Sequence, residues 1–151
     1  MGPFSRCISI LIYHRVVSEP DALLPDLPSA AEFDRQLAAV ERWFTVLPLR
    51  EAAARLRDGT LPVRSACVTF DDGYADNADV ALPVLRRRGI PATFFVSTSY
   101  IDGGRMWNDS VIETIRAKKG EVLDARSIGL ESLDISTTES RREHPVDRLS
   151  A

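Results

Sequence analysis

The chain is poor in the residues that staple small folds or cage metals. Among its 151 residues there are two cysteines, Cys7 and Cys67, and two histidines, His14 and His144. Two cysteines cannot build a disulfide framework; both lie in runs that read as strands, so both are expected as buried free thiols. Long apolar runs are also lacking. The first one, "CISILIYH", is too short to span a bilayer and is interrupted by Ser9. The N-terminus lacks the basic start, long apolar middle and small-residue cleavage site of a secretory signal, so the chain as written is expected to be cytoplasmic. No excess of positive charge exists either. Nineteen basic residues stand against 22 acidic ones, which excludes an electrostatic case for nucleic acid or an anionic membrane. There is no internal repeat, no low-complexity tract and no glycine-rich phosphate loop of the G-x-x-x-x-G-K type.

What is present is an ordinary soluble composition, 44% hydrophobic and 27% charged, in a chain long enough for one core. "ISILIYH" (residues 8–14) reads as a buried strand, and a loop with three prolines follows it. Ser29 and Glu32 have capping-box spacing ahead of Phe33, Leu37, Val40 and Phe44, which predicts an amphipathic helix to about Phe44. "VLPL" is a brief extended piece, and "REAAARLRDG" is a second helix closed by Gly59. "SACVTFDD" (65–72) is the next strand. A helix from about Ala75 to Arg88 comes after it, with Pro83 expected to kink or shorten it. "PATFFVS" (91–97) is a further buried strand. Ser110 and Glu113 then have capping-box spacing, with Trp107, Val111, Ile112 and Ile115 as an apolar stripe. Basic clusters at Arg86–Arg88 and Lys118–Lys119 sit at helix ends, where cations complement the dipole. Strands alternating with helices predict an α/β fold of parallel βα units. Beyond Gly120 the pattern fades, although Ser136-Thr-Thr-Glu139 can start a helix that Pro145 breaks.

Chemistry concentrates in one place. In a parallel sheet, functional groups gather beyond the carboxyl ends of the strands, and "VTFDDG" puts Asp71 and Asp72 there. Neighbours on an extended backbone point to opposite sides, so one carboxylate can face a cation while the other accepts a proton. Gly73 permits a sharp exit and close approach of a ligand. Two plainer readings stand beside this one. Either aspartate can simply cap the helix that follows, or the pair can hold Mg²⁺ for phosphoryl transfer.

The string "TFDDGY" at a strand end, with "PATFFV" after it, resembles the NodB-type polysaccharide deacetylases, carbohydrate esterase family 4. "LIYHRV" and "GGRMWND" are similar to one subgroup of that family. The resemblance covers about Ile8 to Lys118. It implies the N-terminal part of a deformed (β/α) barrel, incomplete here, with residues 8–120 as a partial deacetylase domain and 121–151 as a poorly defined extension. It also implies a hydrolase that removes N-acetyl groups from amino-sugar polysaccharides, with Asp71 as general base and Asp72 as ligand of a divalent ion, zinc or a similar transition metal. Such an ion lowers the pKa of bound water and polarises the carbonyl.

This sequence departs from the family where the metal site is completed. The family's H-x-x-x-H pair is missing, and its later arginine and histidine elements are not recognisable. A catalytic transition metal needs about three protein ligands, which Asp72 alone cannot supply. His14, ending the first strand, is a candidate additional ligand or a cleft-shaping residue; His144 is expected in a solvated loop. Tyr74, Trp107, Asn108 and Asp109 are candidates for lining a sugar cleft, while Trp107 can equally anchor the following helix and Asn108 or Asp109 cap it. An incomplete barrel exposes strand edges, so self-association or a missing C-terminal half is expected. A non-catalytic remnant that binds glycan or assembles with another subunit is the competing reading.

Overall fold

The computed structural model describes residues 7–124, 126 and 132–143. They form two compact units, one of residues up to 20 together with 26–98, the other of residues 21–25 with those from 99 onward. No helix among the described residues is long and apolar enough to cross a membrane.

The first unit is built around one strand. β3 (Ser65–Phe70) is buried at all six positions, and three other strands pair with it in parallel. β1 (Ile8–Tyr13) runs along its full length, from Ile8 opposite Ser65 to Tyr13 opposite Phe70. β2 (Thr45–Val46) pairs with Ser65 and Ala66, and β4 (Ala92–Phe94) with Val68 to Phe70. The expected parallel βα arrangement is therefore present. β3 is buried throughout, Ser65 and Thr69 included, because a central parallel strand is covered on both faces. On one face Val68 and Phe70 pack with Phe33 and Leu37 of α1 (Ala30–Trp43) and with Val84 and Leu85 of α3 (Leu82–Arg88). Phe70 stacks on Tyr13 and Phe94 at 5.4 and 4.9 Å between ring centres, and meets Phe33 edge-on at 5.7 Å. Such pairs add about 0.5–1.5 kcal/mol each beyond their burial. On the other face Cys67 packs with Leu61 and with Ala52 of α2 (Leu49–Arg57), and burial pushes its thiol pKa up. Cys7 differs from expectation: it precedes β1 and is exposed.

Local signals explain most helix boundaries. The Ser29–Glu32 capping box forms as its spacing predicts, each residue bonding the other's backbone. Gly89 ends α3 in the left-handed conformation. Pro83 does not shorten the helical stretch, and a distortion of the helix lies immediately before it. The chain stays helical from residue 75 to 88 because residues Asn77–Ala81 form a π-turn in which the Leu82 N–H reaches Asn77 O. Pro83 then falls at the start of α3, where a missing N–H costs little. "PATFFVS" contributes only three ladder residues, and Phe95 and Val96 beyond them are half exposed.

In the second unit α4 (Trp107–Ala117) is followed by an antiparallel pair, β5 (Val122–Leu123) with β6 (Leu133–Asp134), and by α5 (Thr138–Glu143). Ser110 is not an N-cap. α4 starts three residues earlier with Met106 as its cap, and the Ser110 hydroxyl bonds back to Met106 O. Arg141 of α5 donates to Ile135 O and Ile115 O, each at 2.8 Å, satisfying a carbonyl in the last turn of α4. His144 lies outside the described residues.

The arginine cluster does more than face a dipole. Arg88 grips Asp34 through Nε and Nη2 at 2.8 and 2.7 Å and reaches Glu41, while Arg87 also bonds Asp34, so α3 is tied to α1. These guanidinium groups hold the Asp34 carboxyl well below the usual carboxylate range. A depressed folded-state pKa contributes stability above the unfolded value, about 3.9 for aspartate, and that contribution disappears as pH falls through the folded value. The chain is therefore expected to lose stability on acidification below about pH 4, and Asp34→Asn to flatten that part of the profile. Urea unfolding of both proteins at several pH values checks this, and parallel profiles would refute it.

Candidate active site

The acidic pair stands where β1 and β3 end together. Tyr13 and Phe70 are the last paired residues, and the Asp71 N–H still donates to Tyr13 O at 2.9 Å. His14 and Asp71 are therefore the next residues at one rim, His14 exposed and Asp71 partly exposed. Asp71 continues the face of β3 that carries Thr69, and the chain then turns sharply. Asp72 has φ 72° and Gly73 φ 75°, two successive left-handed residues. Aspartate tolerates that region better than most residues, at a cost of about 1–2 kcal/mol. The strand geometry thus stops at Asp71, and Asp72 stands on a backbone of a different conformation. The helix-capping alternative is not what forms: the helical turn that follows has no side-chain cap, and neither carboxylate bonds it among the described residues.

The turn is held from both sides. Toward β4, Ser97 N–H donates to Asp72 O at 3.2 Å. A Cβ on Gly73 would lie 2.8 Å from Val96 Cγ1 and 3.2 Å from Val96 Cα, so glycine is needed for packing as well as for φ. Toward β1, the Arg15 guanidinium lies over the Tyr74 ring, 4.7 Å from its centre, and its Nε donates to Asp76 Oδ2 at 2.7 Å.

Beside the turn is a cavity of about 210 Å³ with mostly apolar walls, lined by Tyr74, Asn77 and Leu82 and by Phe94 and Val96. Tyr74 therefore does border a cleft. Asn77 is 4% exposed, and neither its Oδ1 nor its Nδ2 has a hydrogen-bond partner among the described residues. Sequence reading missed Arg15 and Asn77. Asn77 reads only as a first-turn residue, and the π-turn that buries it has no spacing signal.

Trp107, Asn108 and Asp109 belong to the second unit, in the first turn of α4. Trp107 is 64% exposed, so it does not anchor that helix in a core. Asn108 and Asp109 lie inside the helix, which Met106 caps, so neither is its N-cap. Among the described residues no group of three or more His, Cys, Asp or Glu side chains is placed to hold a metal ion. His14 and Asp72 do not make up a zinc-type set.

Comparison with known proteins agrees with the motif. The polysaccharide deacetylase family model matches residues 58–142, more than half of the chain. YxkH of Bacillus subtilis (strain 168), which carries a polysaccharide deacetylase designation, is 32% identical over 91 residues, covering 59% of this chain and 31% of that protein. The Streptococcus pyogenes deacetylase PplD, solved with acetate, superposes with a TM-score of 0.52 at 28% identity, covering 59% of this chain and 42% of its own. IcaB from Ammonifex degensii gives a TM-score of 0.52 at 29% identity over 72% of this chain and 48% of its own. The chain thus spans between about a third and a half of these relatives.

Substituting Gly73→Ala should destabilise the first unit by about 2 kcal/mol, combining left-handed strain with the clash at Val96. A Val96→Ala companion should recover the steric part only. Denaturant unfolding of the three variants measures both, and a neutral Gly73→Ala would show that the turn is not held as described.

Proposed function

This chain belongs to the polysaccharide deacetylase family, and we propose that it is the N-terminal portion of a metal-dependent hydrolase that removes N-acetyl groups from an amino-sugar polysaccharide. Residues 8–120 would be its partial deacetylase domain, the start of a (β/α) barrel, and 121–151 an extension. The observation that carries the reading is the acidic turn itself: two adjacent carboxylates, the second on a left-handed backbone, at the end of a strand buried at all six positions. The relative solved with acetate fits the proposal, since acetate is the acid that N-acetyl hydrolysis releases.

In this reading Asp71 is the general base. It takes a proton from water as the water oxygen bonds to the acetyl carbon. The C–N bond then breaks, and the leaving amine takes up a proton. His14, the exposed imidazole on the adjoining strand end, is the group of the right chemistry to supply that proton. Asp72 contributes one oxygen ligand toward a zinc or similar ion. The described residues do not fit such an ion by themselves, so Asp72 would need further ligands from outside them. Tyr74, Trp107, Asn108 and Asp109 are proposed to contact the glycan. The exposed Ile10, Ile12 and Phe95 supply apolar surface for self-association or for the missing half.

The absence of a three-ligand cluster among the described residues favours one second reading, a non-catalytic remnant that binds glycan. Acetate release from N-acetylglucosamine oligomers by the natural protein separates the two. Asp71→Asn should lower the rate by about 10²–10⁴-fold, the usual contribution of a general base. An unchanged rate would remove Asp71 from the chemistry. Oligomer binding without acetate release, insensitive to chelator, would favour the remnant. The 151-residue chain alone is expected to be inactive or weakly active.

A further inference from the structure

The two exits of the β1–β3 ladder are joined by a single side chain. Arg15, two residues past β1, donates from Nε to Asp76 Oδ2 at 2.7 Å while its guanidinium plane covers Tyr74 at 4.7 Å. Tyr74 directly follows the left-handed pair Asp72–Gly73, and Asp76 stands two residues further on. The pair is not a loose surface contact. Its side chains are 31% and 13% exposed, and Asp76 Oδ1 is buried with no hydrogen-bond partner among the described residues. Arg15 is therefore the cation that makes a nearly buried carboxylate tenable, and the same group pins the ring next to the turn.

On its opposite side the turn meets the 3.2 Å Ser97–Asp72 bond and the Gly73–Val96 contact, and Val96 is itself half exposed. A turn containing a left-handed aspartate relaxes toward commoner backbone conformations unless its surroundings hold it. We propose that Arg15 is a positioning residue for the acidic turn. Acting through Tyr74 and Asp76, it holds Asp72 and Gly73 in the left-handed conformation and so sets the directions in which the two carboxylates are presented. Lysine cannot replace it. A point charge can pair with Asp76, but it lacks the delocalised guanidinium that lies over Tyr74 while its Nε–H bonds the carboxylate. The functional weight of this clamp rests on the proposed role of Asp71 and Asp72.

Backbone ¹⁵N relaxation of the chain tests it directly. In the unsubstituted protein Gly73 and Tyr74 should show order parameters near those of rigid backbone, about 0.85, and in Arg15→Met these should fall toward flexible values, below about 0.6. Val68 and Phe70 in β3 should keep their order, and Arg15→Lys should not restore the turn. Where Arg15→Met alone fails to fold, Arg15→Met with Asp76→Asn removes the stranded charge and carries the same readout. A turn that stays rigid without Arg15, or order lost equally through β3, would overturn the proposal. Titrating an N-acetylglucosamine oligomer in the same spectra reports on the functional reading separately. A turn that loosens without Arg15 supports the clamp whether or not the oligomer binds.

Discussion

Everything at the candidate site depends on the burial of β3 between its parallel neighbours. Six consecutive buried residues leave that strand one register, fixed by β1 along its whole length and by β2 and β4 at its two ends. A one-residue slip would turn Phe70 out of the aromatic cluster it shares with Tyr13, Phe33 and Phe94. Phe70 is also the last ladder residue before Asp71. The core thus determines where the acidic turn emerges, and the bond from Asp71 N–H to Tyr13 O carries that registration one residue past the strand.

Beyond the ladder the turn depends on less. Asp72 adopts a conformation that an unconstrained chain visits reluctantly, and the turn has a tight glycine contact on one side and an arginine on the other. A buried strand ending in a braced, mildly strained turn would suit the role proposed for these carboxylates, because such a turn fixes its side chains before a ligand arrives. The apolar cavity and the buried amide of Asn77 lie directly behind this turn, within the same unit.

The parts legible in sequence were those with a local physical signature. The Ser29–Glu32 box, the short β3 strand ahead of Asp71 and the glycine after Arg88 each reflect a requirement met within a few residues. The misreadings have a common origin in tertiary choice. Ser110 has capping-box spacing, yet α4 begins at Trp107, which is exposed where the apolar stripe predicts burial. Pro83 has the chemistry of a helix breaker, but a π-turn shifts the hydrogen-bond pattern so that no N–H is required of it. Arg15 gave no signal because its partners, Tyr74 and Asp76, are some sixty positions along the chain. The position of the acidic pair at the end of β3 was legible because the strand before it and the glycine after it bracket it in sequence.

The central proposal is that Asp71 and Asp72 belong to a hydrolytic site that a longer polypeptide or an assembly completes. The measurement that tests it most directly is the native mass of the protein from its natural source, taken together with its ability to release acetate from N-acetylglucosamine oligomers. The account predicts that active material has a mass well above the 16.7 kDa of this chain, as a longer polypeptide or as an assembly that supplies the further ligands. A 16.7 kDa monomer that releases acetate unaided would contradict it.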